Sequence, residues 1–224
     1  MCGRYNVIDS PEVRALCDIL GITTYPPTRL NISPGGQGEF IAEIDGARQL
    51  TTGYWSALIE PKATGGYRPN PKFKTFNARS DRLTSSPLWK KLYSSKRAII
   101  PATGWHEWME GPDGKKQCFQ LEFGDQAIAF GGLYQLYQFG EELVPAYSII
   151  TLPPHERVAH IHEKSLPLIL QPKDFDMWLD PTFKQTDAFA DLMQPVLRHV
   201  LRAIPVNSPK DMLAVGPVEL IPPD

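Results

Sequence analysis

The first chemically distinctive stretch of the sequence is its start, Met1-Cys2-Gly3-Arg4. If Met1 is removed, Cys2 carries a free α-amine and a thiol on adjacent carbons. Their pKa values of about 8 and about 8.5 leave a nucleophilic fraction of each near neutral pH. The amine can form a Schiff base with an aldehyde, and the thiol can then close a thiazolidine ring. Alternatively, the thiol attacks an acyl group with the amine as its base. The motif alone also allows Cys2 to have no role.

A second candidate is Glu107, which lies between Trp105 and Trp108 and follows a predicted buried strand at residues 97–102. Neighbouring indoles desolvate a carboxylate, and desolvation raises its pKa toward the range useful for general acid–base catalysis. The alternative is a surface glutamate at a strand end.

Histidines supply a third candidate, because His160 and His162 are separated by one residue and face the same side if the segment is extended. A metal site would need a third ligand from Glu163, Glu156 or His155, and none has convincing spacing. The sequence therefore favours His162 as a single proton-transferring histidine and predicts no metal.

Asn77 and Arg79 lie in an Asn-Ala-Arg segment that we expect to be exposed. Together they could hold a backbone amine or a phosphate. The alternative is that Asn77 only forms a turn.

Charge is unevenly distributed along a chain whose formal net charge is −2. Residues 61–97 contain ten basic residues and one acidic residue, Asp81, so this basic segment carries +9. Such segregation predicts a positive face for a polyanion, although a solvated surface would look the same. Aromatic residues that could stack on bases lie in or near the segment: Tyr54, Trp55, Tyr67, Phe73 and Phe76.

Many short apolar stretches separated by Gly, Pro and Asp turns predict an α+β domain built on a mostly antiparallel, barrel-like sheet with a few short peripheral helices. We expect one domain over residues 1–224. Strands are predicted at residues 3–7, 40–44, 48–54, 97–102, 117–123, 127–134, 144–151, 166–170, 200–206 and 218–221. Helices are predicted from Ser10 to Gly21, at residues 87–93, 173–179 and 187–193, and in a short stretch from Pro153.

The location and assembly of the protein are expectations from composition. Cys2, Cys17 and Cys118 form an odd set without Cys-x-x-Cys spacing, which argues against a disulfide framework and a zinc site. No apolar run is long enough to span a bilayer, and the first twenty residues do not resemble a signal peptide. We expect a cytosolic monomer with no cofactor.

Six motifs in this order resemble the SRAP (SOS-response-associated peptidase) family. They are Met1 to Arg4, Asn31 to Pro34, Gly53 to Trp55, Asn77 to Asp81, Gly104 to Trp108, and Ile161 to Glu163 followed by Pro167 to Leu170. The resemblance covers residues 1 to about 170. It departs from the family pattern at Asp81, where glutamate is usual, at His106, where Phe or Tyr is common, and after His162, where one residue is added and Lys164 replaces arginine.

The resemblance implies a self-processing protein that removes Met1 and traps abasic sites in single-stranded DNA through a thiazolidine at Cys2. By similarity, Asn77 would position the N-terminus, Glu107 would shuttle protons and His162 would act on the sugar oxygen. Arg4 and Arg79 would grip phosphates and Trp55 would stack on a base.

Three alternatives remain on the residues alone. An N-terminal Met-Cys-Gly also opens glutamine-hydrolysing amidotransferase domains, which would leave the basic segment unexplained. A non-covalent reader of single-stranded or modified DNA would need the basic segment but not Cys2. Cys2, Glu107 and His162 could also form the active site of a peptidase that acts on other proteins.

Overall fold

The structure, a computed structural model, describes residues 3–224, and strands are the commonest regular structure in it. The helices are α1 (Pro11–Ile19), α2 (Pro87–Tyr93) and α3 (Phe175–Leu179), with 3-10 turns at Ser80–Arg82, Glu156–Val158, Pro172–Asp174 and Thr186–Met193. The strands are β1 (Tyr5–Val7), β2 (Arg29–Ile32), β3 (Gln37–Ile44), β4 (Ala47–Trp55), β5 (Ile59–Pro61), β6 (Tyr67–Pro69), β7 (Asn77–Arg79), β8 (Arg97–Ala102), β9 (Gly104–Glu110), β10 (Lys116–Glu122), β11 (Ile128–Phe139), β12 (Glu142–Leu152), β13 (Leu166–Pro167), β14 (Leu201–Val206) and β15 (Glu219–Ile221). Among these described residues, no helix has the length and apolar character that crossing a membrane requires.

Five strands close into a barrel in the order β3, β4, β12, β11 and β8, with β8 returning to β3. Four of the pairings are antiparallel, and β4 pairs with β12 in parallel through Tyr54 opposite Ala146. Strands β7 and β13 add to β12 outside the ring. The predicted α+β, barrel-like and mostly antiparallel fold is confirmed.

A second, six-stranded antiparallel sheet has the order β15, β14, β10, β9, β1 and β2. One apolar core joins it to the barrel, because Trp105 and Leu121 of this sheet pack in the same cluster as Phe40, Phe130 and Tyr147 of the barrel. Burial of these side chains is the main force holding the two sheets together.

The helices cover the other side of the barrel. Cys17 of α1, Trp89 of α2 and Trp178 of α3 share a second core cluster with Ile99 and Ile150 of the barrel strands. Cys17 and Cys118 are both buried and not disulfide-bonded. Burial raises the pKa of Cys17 to about 11 and that of Cys118 to about 12, so neither is a nucleophile near neutral pH.

Local signals explain the elements that the sequence predicted well. Ser10 caps α1, its Oγ accepting the Val13 amide at 3.4 Å. Asp45 and Gly46 both have positive φ, 53° and 79°, as the tight turn between β3 and β4 requires. The stretch at Thr186–Met193 is 3-10 rather than α-helical, and the strand predicted at residues 166–170 is reduced to β13 plus a bridge at Ile169.

Candidate active site at the Glu107–His162 cleft

Glu107 is positioned by β9, the strand that lies between β1 and β10. The sequence predicted Glu107 in a segment after a strand, whereas the structure places it inside β9, opposite Phe119 of β10. Its side chain is only 3% exposed. Pairing with β10 at Phe119, and with β1 two residues earlier at Trp105, fixes the backbone that carries this carboxyl.

His162 meets Glu107 from a different part of the chain. It follows the 3-10 turn at Glu156–Val158, and its amide donates to the Val158 carbonyl at 2.9 Å. The buried Ile161 beside it anchors the segment in the core. His162 Nδ1 lies 3.2 Å from Glu107 Oε2, and the two side chains are 14% and 3% exposed. They form one acid–base pair, in which Glu107 is buried and His162 is half-buried.

The proton of this pair belongs on the carboxyl near neutral pH. Burial raises the pKa of Glu107 to about 8, because an ionised carboxylate loses its hydration there. Burial, with help from the positive charge of Lys164, lowers the pKa of His162 to about 4. At pH 7 Glu107 is therefore mostly a neutral acid and His162 a neutral imidazole, an arrangement suited to donating a proton.

The N-terminal segment runs alongside Glu107. β1 pairs with β9 through Tyr5 opposite Trp105, and the His106 amide donates to the Arg4 carbonyl at 2.9 Å. The half-buried Arg4 also donates from its guanidinium to the Gly3 carbonyl at 3.0 Å. Cys2, the predicted nucleophile, lies outside the described residues.

Trp55 does not offer the stacking surface expected of it. Its side chain is 0% exposed and packs edge-on against Tyr5 and Phe76, with ring centroids 5.1 and 5.9 Å apart. Its indole N–H donates to the Phe76 carbonyl at 2.8 Å. The core covers the whole ring in this conformation, so stacking of Trp55 on a base stays a prediction. Trp55 thus contacts Tyr5 of β1 on one side and Phe76, the residue before β7, on the other.

Asn77 is the first residue of β7 and is 8% exposed. β7 pairs in parallel with β12, with Asn77 opposite Ile149. The predicted exposed segment is therefore a short strand with Asn77 and Ala78 buried, and only Arg79 exposed. An inner asparagine held on a strand can orient a neighbouring backbone more precisely than a turn residue can.

Arg79 lies at the open end of β7, with its side chain 69% exposed. It makes a two-pronged contact with Asp81, at 3.0 Å from Nε and 2.6 Å from Nη2. That contact lowers the pKa of Asp81. The remaining guanidinium N–H donors stay available for an anion. Asp81 thus orients Arg79.

Two clefts lie next to each other at this site. One, of about 500 Å³, is lined by Glu107, Trp108, His162 and the segment around them. The other, of about 410 Å³, is lined by residues 79–81, by residues 151–154 at the end of β12, and by Lys164 and Ser165. Lys164 lines both clefts. In the sequence, Lys164 is notable only as a departure from the family pattern. No sequence signal indicated that it lies between the two clefts.

The other histidines do not join His162. His155 contacts Asp224 at 3.0 Å and His160 contacts Glu219 at 2.9 Å. Among the residues that the structure describes, no three His, Cys, Asp or Glu side chains are grouped as a metal site would need. The pair of His160 and His162 is therefore divided between two different partners.

The basic segment contributes fewer surface charges than its sequence indicates. Arg97 is 2% exposed and donates to the carbonyls of Tyr93, Trp178, Asp180 and Phe183, so it ties α2 and α3 to the barrel. The other nine basic residues of the segment are exposed: Lys62, Arg68, Lys72, Lys74, Arg79, Arg82, Lys90, Lys91 and Lys96. The positive surface remains, without Arg97.

Comparisons with known proteins show which family the chain belongs to. The model of the SOS response associated peptidase (SRAP) family matches residues 1–209. The abasic site processing protein YoqW of Bacillus subtilis is 33% identical over 222 residues, 94% of this chain and 96% of that protein. The abasic site processing protein YedK of Escherichia coli is 28% identical over 188 residues, 80% of this chain and 79% of that protein. A crystal structure of a Bordetella bronchiseptica protein has the same fold, with a TM-score of 0.71 at 18% identity over 92% of this chain and 100% of that one. The chain belongs to the SRAP family.

Proposed function

We propose that this protein processes abasic sites in single-stranded DNA by bonding covalently to them through Cys2 after Met1 is lost. The observation that carries the proposal is the contact between buried Glu107 and half-buried His162, on the strand next to the one that leads to the N-terminus. Family membership supports it, because relatives over nearly the full chain are named abasic site processing proteins.

The chemistry needs a proton donor at neutral pH. An abasic sugar that opens exposes an aldehyde at C1′, and the Cys2 amine adds to that carbon. The resulting hydroxyl leaves as water only after it takes a proton, which Glu107 can give because its pKa is about 8. The thiol then adds across the C=N bond, sulfur to carbon and proton to nitrogen, and the thiazolidine is complete.

The remaining residues have supporting roles in this proposal. His162, a neutral imidazole next to Glu107, would bind the sugar oxygen as the ring opens. Asn77 would hold the backbone of the N-terminus. The Cα atom of Cys2 lies about 4 Å from that of Gly3, because the two residues are consecutive in the chain. Arg4 and Arg79 would contact phosphates, and the exposed lysines of the basic segment would recruit the strand. The protein would act as a cytosolic monomer, and removal of Met1 would be its own peptidase reaction.

The test is to incubate the purified full chain with single-stranded DNA that contains one abasic site, followed by denaturing electrophoresis. We expect a conjugate that survives denaturation, and an intact mass that lacks Met1. Cys2→Ala should give no conjugate. Cys118→Ala is the matched control, because it removes a buried thiol whose pKa is about 12 and should leave capture unchanged.

Two results would contradict the proposal. One is a conjugate that forms as well with Cys2→Ala as with the wild type. The other is a wild-type protein that forms no conjugate and hydrolyses glutamine, which would favour an amidotransferase-type reaction. Rising salt should slow capture, because binding of lysines to phosphates releases counterions.

A further inference from the structure

The loop between β12 and β13, which carries His162, is also held by residues from β15 onward. Two other histidines of this loop contact carboxylates there. His155 Nε2 lies 3.0 Å from Asp224 Oδ2, and His160 Nε2 lies 2.9 Å from Glu219 Oε2. The His155 side chain is 5% exposed, whereas both partners of the second contact are about half exposed. The buried contact should hold the loop more firmly, because water competes less for its partners.

His155 connects Asp224 to the 3-10 turn that precedes His162. Its Nδ1 accepts the Arg157 amide at 3.2 Å, so the neutral imidazole has its proton on Nε2, facing Asp224. The Val158 amide donates to the His155 carbonyl at 3.0 Å, and the His162 amide donates to the Val158 carbonyl at 2.9 Å. A continuous chain of hydrogen bonds therefore runs from Asp224 to the backbone of His162.

Asp224 is itself fixed to the sheet that carries Glu107. Its amide donates to the Leu197 carbonyl at 3.0 Å, and its Oδ2 accepts the Leu197 amide at 2.9 Å. Leu197 is buried in the core shared by the barrel and the second sheet. Just before Asp224, β15 pairs with β14, which leads through β10 to β9 and Glu107. One sheet therefore carries Glu107 directly and reaches His162 through Asp224.

We propose that Asp224 is a positioning residue for His162, which it holds beside Glu107 by fixing the ring of His155. This inference rests on the proposed function for the role of His162 in the reaction. Without the Asp224 carboxylate, the His155 ring loses its partner and the turn loosens. His162 then moves away from Glu107 and into water.

The first test is NMR of the histidine rings in the full chain without DNA. Burial lowers the pKa of His162 to about 4, so its ring nitrogens should keep the signals of a neutral imidazole from pH 7 down to pH 5.5 in the wild type. In Asp224→Ala, the ring should take up a proton with a midpoint near the ordinary value of about 6.5, because water reaches it. His162→Gln identifies the signal by its absence.

Three further variants separate the contact of Asp224 with His155 from charge and from general stability. Asp224→Asn keeps an oxygen that accepts from His155 and should titrate as the wild type does. His155→Asn keeps a side-chain cap on the turn but is too short to reach Asp224. It should behave like Asp224→Ala, and it decides the question if Asp224→Ala does not fold. Glu219→Ala, which removes the exposed pair, is the matched control and should leave the titration unchanged.

The rate of capture of abasic DNA is the second readout. At saturating DNA, Asp224→Ala should capture about 10- to 100-fold more slowly than the wild type, the effect of displacing a reacting group by about 1 Å. The DNA concentration that gives half the maximal rate should stay the same, because neither Asp224 nor His155 belongs to the basic segment.

The two proposals fail in different ways. If the wild type captures abasic DNA, but Asp224→Ala captures as fast and keeps the wild-type titration of His162, the positioning role is wrong and the function stands. If the titration moves as expected but the wild type captures nothing, the function is wrong and the positioning stands. If Glu219→Ala moves the titration as far as Asp224→Ala does, or if Asp224→Asn fails to preserve it, the role assigned to Asp224 is overturned.

Discussion

Replacing Glu107 by glutamine should make the protein more stable at alkaline pH and much less active. Glutamine keeps the shape of a protonated carboxyl and can still donate to His162 Nδ1, which lies 3.2 Å from Oε2 in the wild type. It cannot ionise, and it cannot deliver a proton. The stability and the reaction should therefore change in opposite directions.

The size of the stability effect follows from the pKa of Glu107, which burial raises from 4.5 to about 8. The folded state keeps a proton that the unfolded chain releases above pH 4.5, so the free energy of unfolding falls as pH rises until Glu107 ionises in the fold near pH 8. Between pH 6 and pH 8 the wild type should lose about 2 kcal/mol relative to Glu107→Gln. The lowered pKa values of His162 and His106, both about 4, make stability rise with pH below pH 6.5, but they affect both proteins equally.

Urea unfolding followed by tryptophan fluorescence at pH 6, 7 and 8 gives the required free energies. Capture of abasic DNA, measured on the same samples, should slow about 10²- to 10⁴-fold in Glu107→Gln because the general acid is lost. Glu110→Gln, which changes an exposed carboxylate of the same strand, is the matched control. A stability difference that stays constant from pH 6 to pH 8, or unimpaired capture by Glu107→Gln, would refute the assignment of a buried neutral acid.

Two further substitutions test the structural roles of residues that the sequence placed at the DNA surface. Trp55→Phe removes the indole donor to the Phe76 carbonyl and should lower the free energy of unfolding by about 1 to 3 kcal/mol. Weaker binding of single-stranded DNA with no loss of stability would instead show that the ring meets DNA. Arg97→Met leaves four carbonyls without their donor and should lower the free energy of unfolding by at least about 3 kcal/mol. Lys96→Ala, the neighbouring control, should change the free energy of unfolding in urea by less than about 0.5 kcal/mol. Equal effects of the two substitutions would contradict a buried structural role for Arg97.

Local sequence signals predicted the elements that depend on local physics. α2 and β8 have the predicted bounds, because Pro87 starts the helix and residues 97–102 form a continuous buried run. The strand β9 was not predicted, since Trp, His and Glu in succession do not alternate as a half-buried strand does. The first four residues of β9 are all buried, so side chains on both faces are covered and the alternation disappears.

The candidate site depends on long-range pairing, which sequence patterns cannot reveal. The flanking indoles correctly indicated that Glu107 is desolvated, but nothing in its neighbourhood in the chain pointed to His162, 55 positions later. Trp55 shows the opposite case. Its type and its place near a basic segment suggested stacking on a base, and only the pairing of β4 with β12 shows that its ring is inside the protein.

Strand β12 determines how the site can open. β7, which begins with Asn77, pairs with residues 149–151 of β12, and β13, which follows the His162 segment, pairs with Thr151 and Leu152. The same strand also closes the barrel against β4 and β11. Amide hydrogens of β12 that bond to β4 and β11 should therefore be among the slowest to exchange with solvent, whereas those that bond to the short strands β7 and β13 can exchange when these strands open locally. The barrel can therefore stay closed while β7 and the His162 segment move at its edge.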